Sequence, residues 1–295
     1  MAKILHVYNL ITRLRERYYA AATEKRELLK LLSETEVAEQ VYNSNAIENS
    51  TLSLEETEKI LLQIGLDRYI TEREIFEAKN LARVVSYIDT KAKEQELTLE
   101  VILLLHRMLI ANIRDDIAGR FREDGEWVKV ANHIAPDPKE VTGRLEKMLA
   151  VYNANSHENI IKRIALLHLS FEHTHPFVDG NGRIGRALNN YLLIREGFVP
   201  INIKFIDRKM YYGAFKEFDE KGRCKIMEEI VGKALTNSYY KRLAYLEGAR
   251  IMTLAGYAKE FKISHSNLLN KAHRQTIEAF LEKGVWKIGV RQNNK

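Results

Sequence analysis

The chain has 295 residues, enough to bury a substantial core and to hold more than one folding unit. Its single cysteine, Cys224, excludes an internal disulfide and a cysteine-based zinc site, and suits a reducing compartment. The net charge of +6 is unevenly placed: residues 241–295 hold eleven Lys and Arg against four Glu, a net +7, and the remainder sums to −1. A basic C-terminal module on a neutral body points to an acidic partner there, with nucleic acid as one option.

Four prolines, fifteen glycines and abundant Leu, Ala, Glu, Lys and Arg predict a mostly helical protein. The N-terminal stretch lacks the apolar centre of a signal peptide, and no apolar run reaches the length of a membrane span. A soluble, cytoplasmic protein without membrane association is expected.

Residues 5–32 read as one long helix, with Leu14, Tyr18, Ala21, Leu28 and Leu29 on recurring faces. Ser33-Glu34-Thr35-Glu36 has capping-box spacing and predicts the start of a second helix. On it Val37, Val41, Ser44 and Glu48 share one stripe, so a glutamate continues an inward-looking face. Taken alone, Glu48 is better read as lying at a fraying end and reaching water, because charged residues are rarely buried unpaired.

A second capping-box pattern, Ser53 to Glu56, predicts a helix over 54–64, and further helical stretches follow at 71–92 and 98–112. Trp127-Val128-Lys129-Val130 alternates and leads through Ala131-Asn132-His133-Ile134 to Pro136 and Pro138, which predicts a short β-hairpin. Helical periodicity resumes at 139–153 and at 160–171, where Ile160, Ile164, Leu167 and Phe171 form a stripe. Residues 183–196 form a helix stopped by Gly197. An extended piece over 200–206 precedes helices over 208–219 and 224–247.

The segment His175-Pro176-Phe177-Val178-Asp179-Gly180-Asn181-Gly182-Arg183-Ile184-Gly185-Arg186 carries the chemistry. Pro176 interrupts the preceding helix and leaves His175 at its end or on a loop. Gly180, Asn181 and Gly182 permit unusual backbone angles immediately before a helix start, where free N–H groups favour an anion. Arg183 and Arg186, placed in that first turn, oppose the helix dipole unless an anion arrives, and their planar forks suit phosphate. Asp179 is suited to Mg²⁺, which takes one or two carboxylates plus substrate phosphates. His175 titrates near neutrality and is suited to take a proton from an attacking hydroxyl.

Two rival readings are weaker. Gly180-x-Gly182-x-x-Gly185 matches the dinucleotide-binding fingerprint, but that pattern needs a preceding strand, and here a helical stripe and a proline come first. His168, His173 and His175 suggest a metal cluster, yet their spacing is not that of a zinc helix, and His168 sits in an apolar stripe as a core histidine.

With these residues in place, the chain resembles the Fic (Fido-fold) family, whose core motif is H-x-F-x-[D/E]-G-N-[G/K]-R-x-x-R, and His175 to Arg186 fits every defined position. Gly119-Arg120-Phe121-Arg122 and the hairpin resemble the family's flap region. The resemblance implies a Fido-type helical bundle with a short β-hairpin flap, and transfer of AMP from ATP to a protein hydroxyl with release of pyrophosphate. It implies His175 as general base, Asp179 as Mg²⁺ ligand, and Phe177 as a core anchor. Gly180, Asn181, Gly182 and Arg183 would cradle the α- and β-phosphates, Ile184 and Gly185 continue the binding motif, and Arg186 would meet the γ-phosphate. Val130, Ala131, Asn132 and His133 would hold the target segment by strand-like pairing, and Tyr211 and Tyr212 would line the nucleotide pocket. Members with an inhibitory helix (the class II type) carry [S/T]-x-x-x-E-[G/N]. Ser44-Asn45-Ala46-Ile47-Glu48-Asn49 fits, which reverses the reading of Glu48: it would pair with Arg186 and obstruct the γ-phosphate.

Residues 251–290 read as a short helix at Tyr257–Phe261, a turn, a second helix capped by Ser264 and a small apolar wing near Val285–Ile288, resembling a winged helix-turn-helix. The expected division is therefore 1–97 as an N-terminal helical region, 98–240 as the Fic core and 241–295 as the C-terminal module. The expected activity is an autoinhibited protein adenylyltransferase using ATP and Mg²⁺ on a Ser, Thr or Tyr of a target protein or of itself. Removal of AMP at the same site, and a nucleotide-sensing DNA-binding regulator, are the alternatives. DNA binding through 251–290 and a homodimer stay open.

Overall fold

A computed structural model describes residues 2–130 and 133–291. Among these, twelve α-helices dominate and five short strands complete the fold. The chain divides into two compact units, Val37–Val231 and a second built from Met1–Glu36 with Gly232–Lys295.

The helices are α1 (Ala2–Ala22), α2 (Arg26–Ile47), α3 (Leu54–Leu61), α4 (Glu72–Lys91), α5 (Leu99–Ile110), α6 (Val141–Ala154), α7 (Ile160–Thr174), α8 (Asn181–Arg195), α9 (Arg208–Lys221), α10 (Lys225–Leu246), α11 (Leu254–Glu260) and α12 (His265–His273). The strands are β1 (Lys129–Val130), β2 (His133–Ile134), β3 (Arg250–Thr253), β4 (Ala279–Glu282) and β5 (Val285–Val290).

The first long helix ends earlier than its periodicity predicts. It breaks at residues 23–25, where Glu24 takes a left-handed φ of 61°. α2 then runs straight through Ser33-Glu34-Thr35-Glu36, so that pattern caps nothing. Inside the helix the Thr35 hydroxyl donates back to the Leu32 carbonyl at 2.9 Å, a local bond that the continuous helix tolerates. Glu36 is instead spent on ion pairing in its own unit, 2.6 Å from Arg242 and 3.2 Å from Lys241.

The start signal at Ser53 operates as read, forming a reciprocal capping box with Glu56 on α3. The structure adds a second box, Thr71 with Glu74 on α4, and a Thr98 cap on α5. In the Val37–Val231 unit, α7 and α8 pack together, with α6 against α7 and α4 and α5 against α8. Fully buried Ile102, Leu105, Leu109, Ile164, Leu169, Leu188 and Leu193 fill the space between them. β1 and β2 pair antiparallel as a two-stranded hairpin, Lys129 opposite Ile134. Gly197, at φ 75°, follows the end of α8 as expected.

In the other unit β3, β5 and β4 form an antiparallel sheet in that order, with β5 central. Ser264 caps α12 through the Asn267 N–H. Leu254, Ala258, Leu268, Ala272 and Ala279 make a small core with Trp286 and Ile288 against it. Strand β3 was not expected from sequence: its four residues show an exposed–half-buried–half-buried–exposed pattern, without the alternation that announces a strand. No described helix is long and apolar enough to cross a membrane.

Candidate active site

The site is built where α7 stops and α8 starts. His175 caps α7 in a left-handed conformation, φ 47° and ψ 62°, and Pro176 after it bars continuation of the right-handed helix. Arg122 fixes this unusual turn: its Nε donates to the His175 carbonyl at 2.7 Å, its Nη1 to the Glu126 carbonyl and its Nη2 to the Pro136 carbonyl, while its backbone N–H donates to the Pro176 carbonyl. Phe177 is fully buried, stacked on His106 with ring centres 3.7 Å apart.

Asn181 latches the loop. Its Oδ1 accepts from the Phe177 N–H at 2.9 Å and its Nδ2 donates to the Phe177 carbonyl at 2.8 Å. His106 holds the next turn: Nδ1 accepts from the Gly119 N–H at 3.1 Å, so Nε2 carries the proton and donates to the Asp179 carbonyl at 3.0 Å. Burial pushes His106 down to about 4, so it stays neutral in this role. Gly180 then takes φ 85° as the N-cap of α8, a conformation that favours glycine, and a Cβ there would stand 3.0 Å from Leu109 and 3.2 Å from Ile110.

These elements wall a cavity of about 750 Å³. His175, Asp179, Gly180, Asn181, Gly182 and Arg183 all line it, as do Glu48 and both Tyr211 and Tyr212. His133 lines it from the hairpin. Val130 ends β1, and Ala131 and Asn132 lie outside the described residues. Ile184 and Gly185 are placed behind the wall. Ile184 is fully buried, and Gly185 packs so tightly that a Cβ would stand 2.5 Å from Glu172.

Arg186 is 93% hidden, and every nitrogen of its guanidinium is engaged. Nε donates to Ser44 Oγ at 2.9 Å, Nη1 to Tyr211 Oη at 3.1 Å and Nη2 to the Ser44 carbonyl at 2.8 Å, and Nη2 forms an ion pair with Glu48 Oε1 at 2.9 Å. Glu48 also reaches over the start of α8: a Cβ on Gly182 would stand 2.1 Å from its carboxylate. Asn49 ends α2 in the left-handed region at φ 69°, a position that glycine or asparagine fills at least cost. The Ser44, Glu48 and Asn49 positions are thus each used: a double acceptor, a counter-ion and a helix stop.

Asp179 is held by two arginines, Arg183 at 2.9 Å and Arg73 at 3.1 Å, and Glu77 shares both. Arg73 and Glu77 carried no signal in the sequence, because nothing in the spacing of α4 ties it to α8. His175 is pushed down to about 4 by burial, so the imidazole is neutral at pH 7. Its Nδ1 faces the Glu172 carbonyl at 3.3 Å, which leaves Nε2 with the lone pair. Glu172 itself is raised to about 8 by burial and by the nearby Glu48 charge, and its Oε1 has no hydrogen-bond partner. The rival metal cluster does not form as read. His168 is wholly buried between Tyr211 and Asn189, a core histidine.

Residues 96–193 match the model of the Fic/DOC family. The protein adenylyltransferase Fic of Drosophila grimshawi is 30% identical over 227 residues, 72% of this chain and 46% of that protein. The chain thus spans about half the length of the curated relatives it matches. A Fic domain-containing signalling protein from Bacteroides thetaiotaomicron superposes with a TM-score of 0.73 at 23% identity, over 81% of this chain and 97% of that one. A Fic family protein from Desulfovibrio desulfuricans gives 0.70 at 19% identity, over 100% and 98% of the two chains, and so shares the fold through both units.

Proposed function

The chain carries a Fic domain, and from that premise we propose that it is an autoinhibited protein adenylyltransferase, as the related Drosophila protein is named. Residues 98–240 are the catalytic core in this reading, 1–97 carry the inhibitory motif and 241–295 form an accessory module. The substrate is ATP and the acceptor is a Ser, Thr or Tyr hydroxyl of a target protein or of the chain itself, in the cytoplasm. His175 takes the hydroxyl proton at Nε2, the oxygen bonds to the α-phosphorus, and the bond to the β-phosphate oxygen breaks, releasing pyrophosphate.

The cradle follows from the start of α8. Gly180, Asn181 and Gly182 offer backbone N–H groups at a helix N-terminus, and Arg183 adds a cation. The single observation that carries the inhibition is the Glu48 carboxylate 2.9 Å from Arg186 Nη2. A γ-phosphate seeking that guanidinium meets a carboxylate already bound there. Tyr211 supports Arg186 from behind, and the Tyr212 hydroxyl donates to the Ile47 carbonyl, tying α9 to the inhibitory turn.

Mg²⁺ fits the donor set: Asp179 is a partly exposed hard-oxygen ligand on the cavity wall, and one of its two partners, Arg73, is mostly in water and easily displaced. The ion would be held by Asp179 and would neutralise charge on the phosphates.

Because Glu48 lines the same cavity as His175, a second reaction fits the residues: removal of AMP from a modified hydroxyl, with Glu48 placing the water. A pre-labelled acceptor incubated without ATP distinguishes the two. For residues 251–290 we carry DNA contact as a proposal, on the net charge and the exposed Lys271 and Arg274 around α12. Salt-dependent binding to arbitrary duplex tests it, with a nucleotide-sensing regulator lacking turnover as the reading it would favour. Sedimentation tests a homodimer.

The decisive experiment is His175→Ala. Transfer of α-labelled ATP to protein is expected to vanish while ATP binding persists. Loss of ATP binding instead would make His175 structural.

A further inference from the structure

One cluster of metal-ligand side chains lies outside the chemistry above. Among the described residues, His133 on β2, His173 in the last turn of α7 and Asp219 on α9 bring one ligand atom each within 4.8 Å of one another. They come from three separate elements, and all three line the large cavity. The sequence offered His173 as a metal ligand only beside His168 and His175; folding pairs it with different partners.

The contacts around the cluster show which atoms can meet an ion. His133 Nε2 stands 2.8 Å from the His173 carbonyl, which only accepts, so Nε2 carries the proton and Nδ1 the lone pair. His173 Nδ1 stands 3.0 Å from Asp219 Oδ1, so an ion that takes the Nδ1 lone pair of the other tautomer has the carboxylate oxygen beside it. The two ring centres lie 4.3 Å apart, with the planes tilted by 38°. A metal-bound imidazole characteristically donates its other N–H to a carbonyl or a carboxylate, and His133 Nε2 does so to the His173 carbonyl.

We propose that His133, His173 and Asp219 form a binding site for a borderline transition-metal dication of the Zn²⁺ type. Two imidazoles and one carboxylate select such an ion over Mg²⁺, which prefers an all-oxygen shell. Zinc bonds of about 2.0–2.1 Å put ligands roughly 3.3 Å apart, so closing the cluster takes side-chain movements of roughly an ångström. The protein supplies three ligands and leaves a further position for water or for a group of an incoming segment. The ion would tie the hairpin to the end of α7, two residues before His175, and to α9. It therefore orders the hairpin without entering the transfer step. The proposal does not depend on the adenylyltransferase reading, since binding is measured without ATP.

The test is calorimetric titration of chelator-stripped protein with Zn²⁺ and, separately, Mg²⁺, in a Cys224→Ser background that removes the one thiol. The result expected is one Zn²⁺ per chain at micromolar affinity or tighter, undiminished by millimolar Mg²⁺. His173→Gln and Asp219→Asn should each weaken it 10- to 100-fold with unchanged circular dichroism. Trp127, 60% exposed just ahead of β1, reports the hairpin: in a Trp286→Phe background its emission should shift on adding Zn²⁺ and not in Asp219→Asn. Binding that survives both substitutions, binding weaker than roughly 100 μM, or loss only in His175→Ala overturns the site.

Discussion

Replacing Glu48 by glycine should release transfer, and the size of the release follows from the geometry. Two unit charges 4 Å apart attract by about 4 kcal/mol at an effective dielectric of about 20. Glu48 is 35% exposed and its partner 7%, so solvent screens part of that attraction. Ser44 and Tyr211 keep holding Arg186 after the substitution, so the guanidinium stays in place rather than collapsing. About 2 kcal/mol is then the cost a γ-phosphate no longer meets, which is roughly a 30-fold faster reaction at limiting ATP. Self-labelling with α-labelled ATP and Mg²⁺, run beside ATP binding, measures it. Glu48→Gln keeps the volume over Gly182 but not the charge, and should fall between wild type and Glu48→Gly. A Glu48→Gly protein that binds ATP but labels itself within twofold of wild type would sink the inhibitory role. If Glu48→Gln alone matched wild type, the obstruction would be steric and the ion pair incidental.

The loop and the buried acid give two further predictions. Asn181→Ala leaves the Phe177 N–H and C=O without partners in a buried turn, at roughly 1–3 kcal/mol each; urea unfolding should show a loss of about 3 kcal/mol, and transfer should be lost in the fully folded protein too. A loss under about 1 kcal/mol with full activity would mean the latch is redundant. Glu172 has its carboxyl raised to about 8, against 4.5 in the unfolded chain. Between those values the folded state keeps a proton that the unfolded state has released, so stability falls as pH rises through that window, by up to about 1.4 kcal/mol per pH unit. Buried His106, His168 and His175 act the opposite way, gaining stability as pH rises from about 4 or below toward 6.5. Glu172→Gln removes only the first slope, so its advantage over wild type should widen steadily from pH 5 to 8; parallel curves would mean Glu172 is ionised in the fold.

What the sequence disclosed was what lies close along it. The twelve residues from His175 to Arg186 form a helix end, a turn and a helix start, and each local signal acts there: Pro176 stops α7, Gly180 turns the chain, and the following amides open onto the cavity. The capping box at Ser53 was equally legible. The pattern at Ser33 failed because a capping box is permissive, and here Glu36 finds stronger partners in Lys241 and Arg242, about 200 positions away. Arg73, Glu77 and Glu172 were invisible for the same reason. Their roles exist only through residues on other elements, and an isolated charge on an amphipathic helix looks like a solvated one. His106 was the exception that could have been caught: it shares the face of α5 that carries Ile102, Leu109 and Ile110, and a polar side chain on such a face has to be paired.

The resting site is a closed set of ion pairs in the place that the proposed function gives to a triphosphate. Arg183 has Asp179 and Glu77, Arg73 has the same two acids, and Arg186 has Glu48. These pairs are unequal. Arg73 is 58% exposed, so exchanging its hold on Asp179 for a cation costs little. Arg186 is buried, and its acid sits on a turn anchored at both ends, by the Ser44 contacts to Arg186 and by the Tyr212 hydroxyl on the Ile47 carbonyl. Freeing Arg186 therefore requires the last turn of α2 to move as a unit, whereas freeing Asp179 requires one surface side chain to swing. Control of the reaction should lie at the Arg186 end. Weakening the anchor with Tyr212→Phe, which deletes one hydrogen bond and leaves both Glu48 and Arg186 intact, should raise self-labelling a few-fold, in the same direction as Glu48→Gly and short of it. Arg73→Ala, by contrast, should leave the inhibited rate low. If Arg73→Ala activates and Tyr212→Phe does not, the gate is at the metal end and the hierarchy of pairs is the reverse of the one their burial implies.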